Sequence, residues 1–377
     1  MTEPRSQLLD LLKQRSAQPQ DKPRVAEAVT ADEEPFPFLA IVGQQEMKLA
    51  LMLSLINPTI GGVLLIGPRG TGKTTAVRGL TDLLPQVSRS LCLHGCTEEM
   101  LEAGGMDAVC ADCAQKVGYG EPLSVLDNVR MFELPLNARL EDVVGGINER
   151  LALEQQRLRL ERGILGHADG HILYIDEVNL LEDAITDAIL DAAAQGHYTV
   201  WRGALKLRYA ARLTLIGSMN PAEGELRPQL MDRFGLRAVV HGLDDSALRF
   251  QAYEHVLAYR RDPEEFAAGF AGQTLALAGE LQAARERLPQ VTLSAAAKEH
   301  GLDLIRRLAI ASNRAEIALF EAARAHAAAD GRDVAEVADI TAVSLIALRQ
   351  RNSKRLESFF AAQAEEDEKI RSMIDGS

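Results

Sequence analysis

Gly67-Pro68-Arg69-Gly70-Thr71-Gly72-Lys73-Thr74 fills every position of the phosphate loop G-x-x-x-x-G-K-[ST]. The apolar run Val63-Leu64-Leu65-Ile66 leads into it, and a helical pattern from Thr75 to Leu84 leads out. That strand–loop–helix context separates a nucleotide site from a chance cluster of glycines. Backbone N–H groups from Gly67 to Thr75, Pro68 excepted because it has none, can cradle phosphates, and the helix N-terminus adds its positive end. Lys73 can reach the terminal phosphates, and the Thr74 hydroxyl can ligate Mg²⁺. ATP binding and hydrolysis with Mg²⁺ are the expectation.

With 377 residues, the chain has room for two domains or for one with a substantial appendage. A hydrophobic content of 47% can fill a core, and 25% charged residues is ordinary. The net charge of −13 argues against a general nucleic-acid binder, because phosphate contacts need clustered Lys and Arg. No apolar run reaches the ~18 residues of a membrane span. Met1 to Glu34 is polar and mixed in charge, without a signal-peptide core, so a cytoplasmic location is expected.

Residues 1–34 read as a flexible leader. A short amphipathic pattern at Leu8, Leu9, Leu11 and Leu12 is followed by Pro19, Pro23 and Pro35. Gln44 to Ile56 reads as a helix ended by Asn57-Pro58. His171 to Ile175 and Leu213 to Gly217 join Val63 to Ile66 as apolar strands with helical patterns between them. This is the signature of a parallel sheet with helical crossovers, so residues 35–245 form an α/β unit. From Ser246 the strand signal vanishes. Helices are predicted over Ser246–Arg260, Gln273–Arg287, Ser294–Ala311, Arg314–Ala329 and Val334–Arg351, followed by a charged tail from Lys354. Residues 246–377 are therefore read as an all-α domain.

The second strand ends in Asp176-Glu177. Asp176 is placed to hold Mg²⁺, and Glu177 to polarise the attacking water. The third ends in Ser218-Met219-Asn220-Pro221, so Asn220 would sit beside the γ-phosphate if the two strands are neighbours. Arg233 is either an arginine finger that stabilises charge on the transferring phosphoryl group, or a surface arginine paired with Asp232. Arg314, read alone, is a surface arginine at a helix start.

With these residues assembled, the chain resembles the AAA+ ATPase subunit (I subunit) of magnesium chelatase over Phe36 to Arg351. The resemblance rests on Pro35-Phe36-Pro37-Phe38 with Ile41-Val42-Gly43-Gln44, on Tyr174 to Leu181, and on Leu134-Pro135 with Glu141 to Gly145. Its narrowest piece is the string from Asn220 to Gly235. It implies an AAA+ P-loop domain with a parallel sheet flanked by helices, plus an all-α C-terminal lid displaced from its usual position. It implies that Ile41, Val42, Gly43 and Gln44 touch adenine, that Asn220 is "sensor 1", and that Arg314 is a "sensor 2" arginine. It further implies an insertion over Leu140 to Arg162 and a β-hairpin over 198–207. The hairpin has local support in Thr199-Val200-Trp201, Arg202-Gly203 and Leu205-Lys206-Leu207. Trp201 is read as a core residue or as a contact on the hairpin surface. The implied partners are copies of the chain in a ring of six, a related AAA+/von Willebrand A chelatase subunit and a large porphyrin-binding subunit. ATP hydrolysis would then drive Mg²⁺ into protoporphyrin IX for (bacterio)chlorophyll. Aromatics make up 5% of the chain, and no porphyrin pocket is signalled in it.

All four cysteines fall at Cys92, Cys96, Cys110 and Cys113, in a segment over 91–117. Two pairs joined by a loop suit tetrahedral Zn²⁺, a cubane iron–sulfur cluster, or metal-free thiols. Bound metal would fold this insertion rather than catalyse. The insertion departs from the plainest members of the family, which leaves two alternatives. One is a cobalt-chelatase-type ATPase. The other is a MoxR-like AAA+ chaperone that remodels a von Willebrand A partner. The Asn220 to Gly235 string favours the chelatase branch. A DNA-directed remodeller is disfavoured by the acidic balance.

Overall fold

The computed structural model describes residues 35–92, 95–147, 160, 162–202 and 205–351. The predicted leader, the charged tail and most of the segment from 148 to 161 lie outside them.

The strands are β1 (Val63–Ile66), β2 (Val87–Ser90), β3 (Ser124–Asp127), β4 (Met131–Leu134) and β5 (Ile172–Ile175). They continue with β6 (His197–Arg202), β7 (Leu205–Ala210), β8 (Thr214–Met219), β9 (Leu236–Val239), β10 (Thr292–Leu293) and β11 (Val334–Ala335). The helices are α1 (Gln45–Ile56), α2 (Lys73–Arg78), α3 (Glu98–Gly104), α4 (Ala111–Gly118), α5 (Leu140–Val144), α6 (Ile164–His167), α7 (Asp183–Gln195) and α8 (Pro228–Met231). After them come α9 (Ser246–Arg261), α10 (Pro263–Arg287), α11 (Ala295–Arg307), α12 (Arg314–Ala329) and α13 (Val337–Leu348).

The frame is a five-stranded sheet in the order β4-β5-β8-β1-β9, with every neighbouring pair parallel. Its inner strands are apolar on both faces, as helix-covered parallel strands require. Val63 and Leu65 of β1 point into a core shared with α1, α10 and α12, while Leu64 and Ile66 point into a second core beneath α7. The alternation follows from the two-residue period of a strand. No helix of the described residues is long and apolar enough to cross a membrane.

Several elements differ from the sequence reading. The helix after the phosphate loop stops at Arg78 rather than at Leu84. The chain turns after Gly79 into a short 3₁₀ segment, Thr81–Leu83, and a Cβ at Gly79 would lie 2.6 Å from the Phe36 carbonyl, so glycine lets this turn pack closely on the lead-in. β4 and β9 were not anticipated. β4 is a partly exposed edge strand, and β9 carries the wholly buried Arg237, so neither shows the apolar run that marks the inner strands. α10 begins ten residues earlier than predicted, with Pro263 in its first turn and the Asp262 carboxylate accepting from the Glu265 amide at 2.9 Å.

The helical segment is tied to the back of the sheet. Arg349 donates to the Glu46 carboxylate, with Nη2 at 3.0 Å. The buried Arg351 donates to the Gly235 carbonyl and to Asp232, each at 2.8 Å. Arg285 of α10 donates to the Leu55 carbonyl at 2.6 Å, and Asn57 to Glu321 of α12 at 2.7 Å.

Candidate functional site

The phosphate loop leaves the C-terminal end of β1. Gly70 and Gly72 have φ of +77° and +83°, which L side chains adopt rarely. Gly67 is required by a close approach, because a Cβ there would lie 2.1 Å from the Val240 carbonyl. Lys73 is buried and folds back, Nζ donating to the carbonyls of Gly67 and Pro68 at 2.8 Å each. Burial lowers its ammonium pKa, and the charges of Asp176, Glu177 and Glu223 oppose that shift. The loop and Asp176, Glu177, Ser218 and Asn220 line a cavity of about 390 Å³. The sheet order brings them together, since β1 and β5 both flank β8.

A hydroxyl chain joins the candidate Mg²⁺ ligands. Thr74 Oγ1 lies 3.0 Å from the Tyr174 hydroxyl, which donates to Asp176 Oδ1 at 3.1 Å. Ser218 Oγ donates to the same carboxylate oxygen and accepts from the Glu177 amide at 3.3 Å. Burial pushes the Tyr174 hydroxyl up to about 12, so it stays protonated at neutral pH. Thr74 and Asp176 are hard oxygen donors in a phosphate-sized cavity, a set that suits Mg²⁺. The sequence reading missed Tyr174 and Ser218. The available signal was that Tyr174 stands two residues before Asp176, on the same side of its strand.

Glu177 has φ +52° and is held by the loop itself. Arg69 donates to it through Nε at 2.9 Å and Nη2 at 2.6 Å, and pairs with Glu223 at 2.8 Å. Asn220 donates to Glu223 at 2.7 Å, so a polar chain runs from Asn220 through Glu223 and Arg69 to Glu177.

Beside the phosphate cavity lies a second one of about 510 Å³, with Gly70, Thr71, Gly72 and Thr75 in both walls. Ile41 and Val42 line it, together with Phe36, Leu243 and Tyr259. Its outer wall is α9, held by His255 Nδ1 donating to the Ala40 carbonyl at 2.7 Å. Arg249 and Arg260 of α9 also face this cavity and were not anticipated.

Arg233 and Arg314 stand elsewhere. They share a cavity of about 590 Å³ with Gly61, His171, Thr214 and Gly235. Those four residues mark the N-terminal ends of β1, β5, β8 and β9, whereas the phosphate loop, Asp176 and Asn220 mark C-terminal ends. A four-residue strand spans about 13 Å. Neither arginine lines the cavity of the chain's own phosphate loop. Arg233 pairs with Asp187 at 3.3 Å and with Asp191, both on α7, and not with Asp232 as the sequence suggested. Asp232 instead accepts from Arg351 and Ser312, with Arg314 at 3.8 Å.

The four cysteine sulfurs all lie within 4.8 Å of one another. They sit on an excursion from the antiparallel β2–β3 ladder, in a small core with Val109 and Leu123. The Cys96 amide donates to Cys92 Sγ at 3.3 Å, and the Cys110 amide to Cys96 Sγ at 3.2 Å. Glu98 closes the base by accepting from the Leu123 and Ser124 amides at 2.7 and 3.0 Å. The expected hairpin is the β6–β7 pair. Trp201 on it is 65% exposed, with Lys206 Nζ 5.0 Å from its ring centroid, so the core reading of Trp201 is corrected.

Residues 122–234 match the AAA domain of the dynein-related subfamily, and residues 302–373 match the AAA lid domain. A magnesium-chelatase subunit ChlI homolog from Methanocaldococcus jannaschii is 39% identical over 320 residues, 85% of this chain and 86% of that one. The magnesium-chelatase subunit ChlI of Nostoc is also 39% identical, over 85% of this chain and 84% of its own. A crystal structure of an ATPase candidate from Cytophaga hutchinsonii matches 85% of this chain and 86% of its own at 18% identity, with a TM-score of 0.54, and so shares the fold. The loop, the two acidic residues, the Asn220 strand end and the helical lid thus sit in a chain that belongs to the family of the AAA+ ATPase subunit ChlI of magnesium chelatase.

Proposed function

We propose that this chain is the cytoplasmic ATP-hydrolysing motor of a magnesium chelatase, working in a ring of its own copies. The observation that carries the ring is the separation of two half-sites. The phosphate loop lies at the C-terminal ends of the sheet strands and Arg233 with Arg314 at their N-terminal ends. One chain cannot bring them to one nucleotide, but adjacent copies in a head-to-tail ring can. A ring of six is the size we expect.

In each half-site, Gly67 to Thr75 bind the phosphates, Lys73 leaves the loop carbonyls for the terminal phosphates, and Ile41 and Val42 cover adenine. Thr74 and Asp176 would hold Mg²⁺, which screens the phosphate charge when bound. Glu177 orients the attacking water once Arg69 lets it go, Asn220 positions it, and the neighbour's Arg233 offsets charge on the transferring group. Arg314, next to Asp232 and Arg233, carries the state of that interface into the helical segment. The work drives Mg²⁺ into a porphyrin held by the large chelatase subunit, through the related AAA+/von Willebrand A subunit. The ChlI names of the relatives favour magnesium over a cobalt-chelatase or MoxR-like role. The cysteine cluster holds a metal that folds its excursion, apart from catalysis.

The test is ATP turnover with mass measurement of the assembly. MgATP should drive monomers into rings and be hydrolysed, and Lys73→Ala should lower hydrolysis by at least ~100-fold. Near-normal turnover by Lys73→Ala, or a monomer at every nucleotide state, would overturn the proposal.

A further inference from the structure

The excursion between β2 and β3 is shorter than about 40 residues, the size below which a fold needs disulfides, metals or oligomerisation to hold itself together. Its core consists of Cys96, Val109, Cys113 and Leu123, with the other two cysteines packed against them. Two of the four buried residues of that core are candidate ligands. No disulfide joins the four thiols, and each sulfur is near all three others rather than one.

The spacing decides between a single ion and a cluster. One ion with Zn–S bonds of ~2.3 Å at the centre of a tetrahedron sets its sulfurs about 3.8 Å apart. Sulfurs that all lie within 4.8 Å of one another need only a small contraction to reach this. In a cubane cluster each thiolate is bound to its own iron at a corner, so the iron's offset from the centre adds to the Fe–S bond. That enlarges the tetrahedron well past the observed spacing. A two-iron cluster separates its two cysteine pairs for the same reason.

The surroundings suit thiolate ligands. Amides of Cys96 and Cys110 donate to two of the sulfurs. Cys110 caps α4 and Cys113 lies in its first turn, where the helix end favours negative charge. No carboxylate or imidazole among the described residues joins the group.

Resting on the reading that these cysteines bind metal, we infer that Cys92, Cys96, Cys110 and Cys113 hold a single tetrahedral Zn²⁺ ion, which staples the excursion to the AAA+ body. Two contacts transmit the staple. Arg162 donates to the Cys92 carbonyl, and a Cβ at Gly95 would lie 3.5 Å from the Ala210 Cβ at the end of β7. Fixing Cys92 and Cys96 therefore fixes how the excursion sits on the hairpin. β1 and α2, which flank the phosphate loop, pack in different cores from the excursion, so loss of zinc should loosen the excursion and spare ATP binding.

The experiment is metal and sulfide analysis of the full chain, purified from cells supplied with both zinc and iron, followed by Co²⁺ exchange. The expected result is one zinc per chain, no sulfide, and thiolate-to-cobalt charge-transfer bands with tetrahedral d–d bands. Iron in place of zinc, with or without sulfide, would overturn the zinc assignment while leaving a metal site. A metal-free chain that takes up no added Zn²⁺ would overturn the metal reading itself. Because Cys→Ala variants can misfold, limited proteolysis is run on the intact chain before and after chelation. Cleavage should rise between residues 91 and 123 on zinc removal and reverse on its return, with ATP affinity unchanged. An unchanged cleavage pattern would contradict the staple.

Discussion

Arg69 donates two hydrogen bonds to Glu177, through Nε at 2.9 Å and Nη2 at 2.6 Å, so the phosphate loop itself holds the carboxylate that we propose orients water. Both bonds fall on Oε1, so the clamp fixes the direction of the carboxylate and occupies one of its two oxygens. Arg69 is 67% exposed, which makes the clamp weak and easily exchanged for phosphate contacts. Arg69→Gln should raise ATP turnover several-fold in the chain alone, measured as phosphate release at saturating MgATP. Turnover unchanged or lowered, with ATP affinity intact, would show that the clamp does not restrain Glu177.

Arg233 stands at the N-terminal ends of the strands, opposite the phosphate loop. Arg233→Ala should therefore bind ATP normally and lose roughly 10³-fold in turnover. Mixed with hydrolysis-dead Glu177→Gln, it should recover part of the activity, because mixed rings contain interfaces with both residues intact. No recovery at any mixing ratio would refute action across the interface.

Tyr174 touches both Thr74 and Asp176 and is wholly buried. Removing its hydroxyl leaves two candidate Mg²⁺ ligands without their common partner. Tyr174→Phe should weaken the Mg²⁺ dependence of hydrolysis by roughly tenfold, as loss of an outer-shell partner typically does. ATP binding without Mg²⁺ should stay the same. A rise in the ATP KM that excess Mg²⁺ does not correct would point instead to a packing role.

Asp339 is wholly buried in the helical segment, where it accepts from His326 Nδ1 at 2.6 Å and Arg332 Nη1 at 2.8 Å. Burial disfavours its charge, but the hydrogen bonds from His326, Arg332 and the Glu336 amide outweigh this and hold the carboxyl well below the usual range. A depressed folded-state pKa contributes stability that is present above the unfolded value of ~3.9 and is lost as pH falls below it. Asp339→Asn should cost about 2 to 4 kcal/mol near neutrality, seen as a lower thermal midpoint. It should also flatten the acid limb of the stability curve below about pH 4. An unchanged midpoint and acid limb would contradict this account.

Much of the site was legible because its parts are local. The phosphate loop, Asp176-Glu177 and Asn220 each end a short apolar strand, and Arg314 opens its helix at the residue predicted. What was hidden depends on register and approach. β9 escaped notice because Arg237 interrupts it. Its guanidinium becomes acceptable in a core only when the Met231 and Arg349 carbonyls close on it at 2.7 and 2.5 Å. Ser218 joins Asp176 only because β8 lies beside β5. Arg69 reads as a variable loop position until Glu177 turns back toward it with a positive φ. The placement of Arg233 and Glu177 at opposite strand ends is a property of the assembled sheet, which no local pattern carries.

The most direct test of the motor role is reconstitution. This chain, the two partner subunits of a magnesium chelatase, MgATP and protoporphyrin IX are mixed, and the fluorescence of the metallated product is followed. The account predicts product that requires this chain and is lost with Lys73→Ala. ATP hydrolysis by this chain without any product in the complete mixture would contradict it.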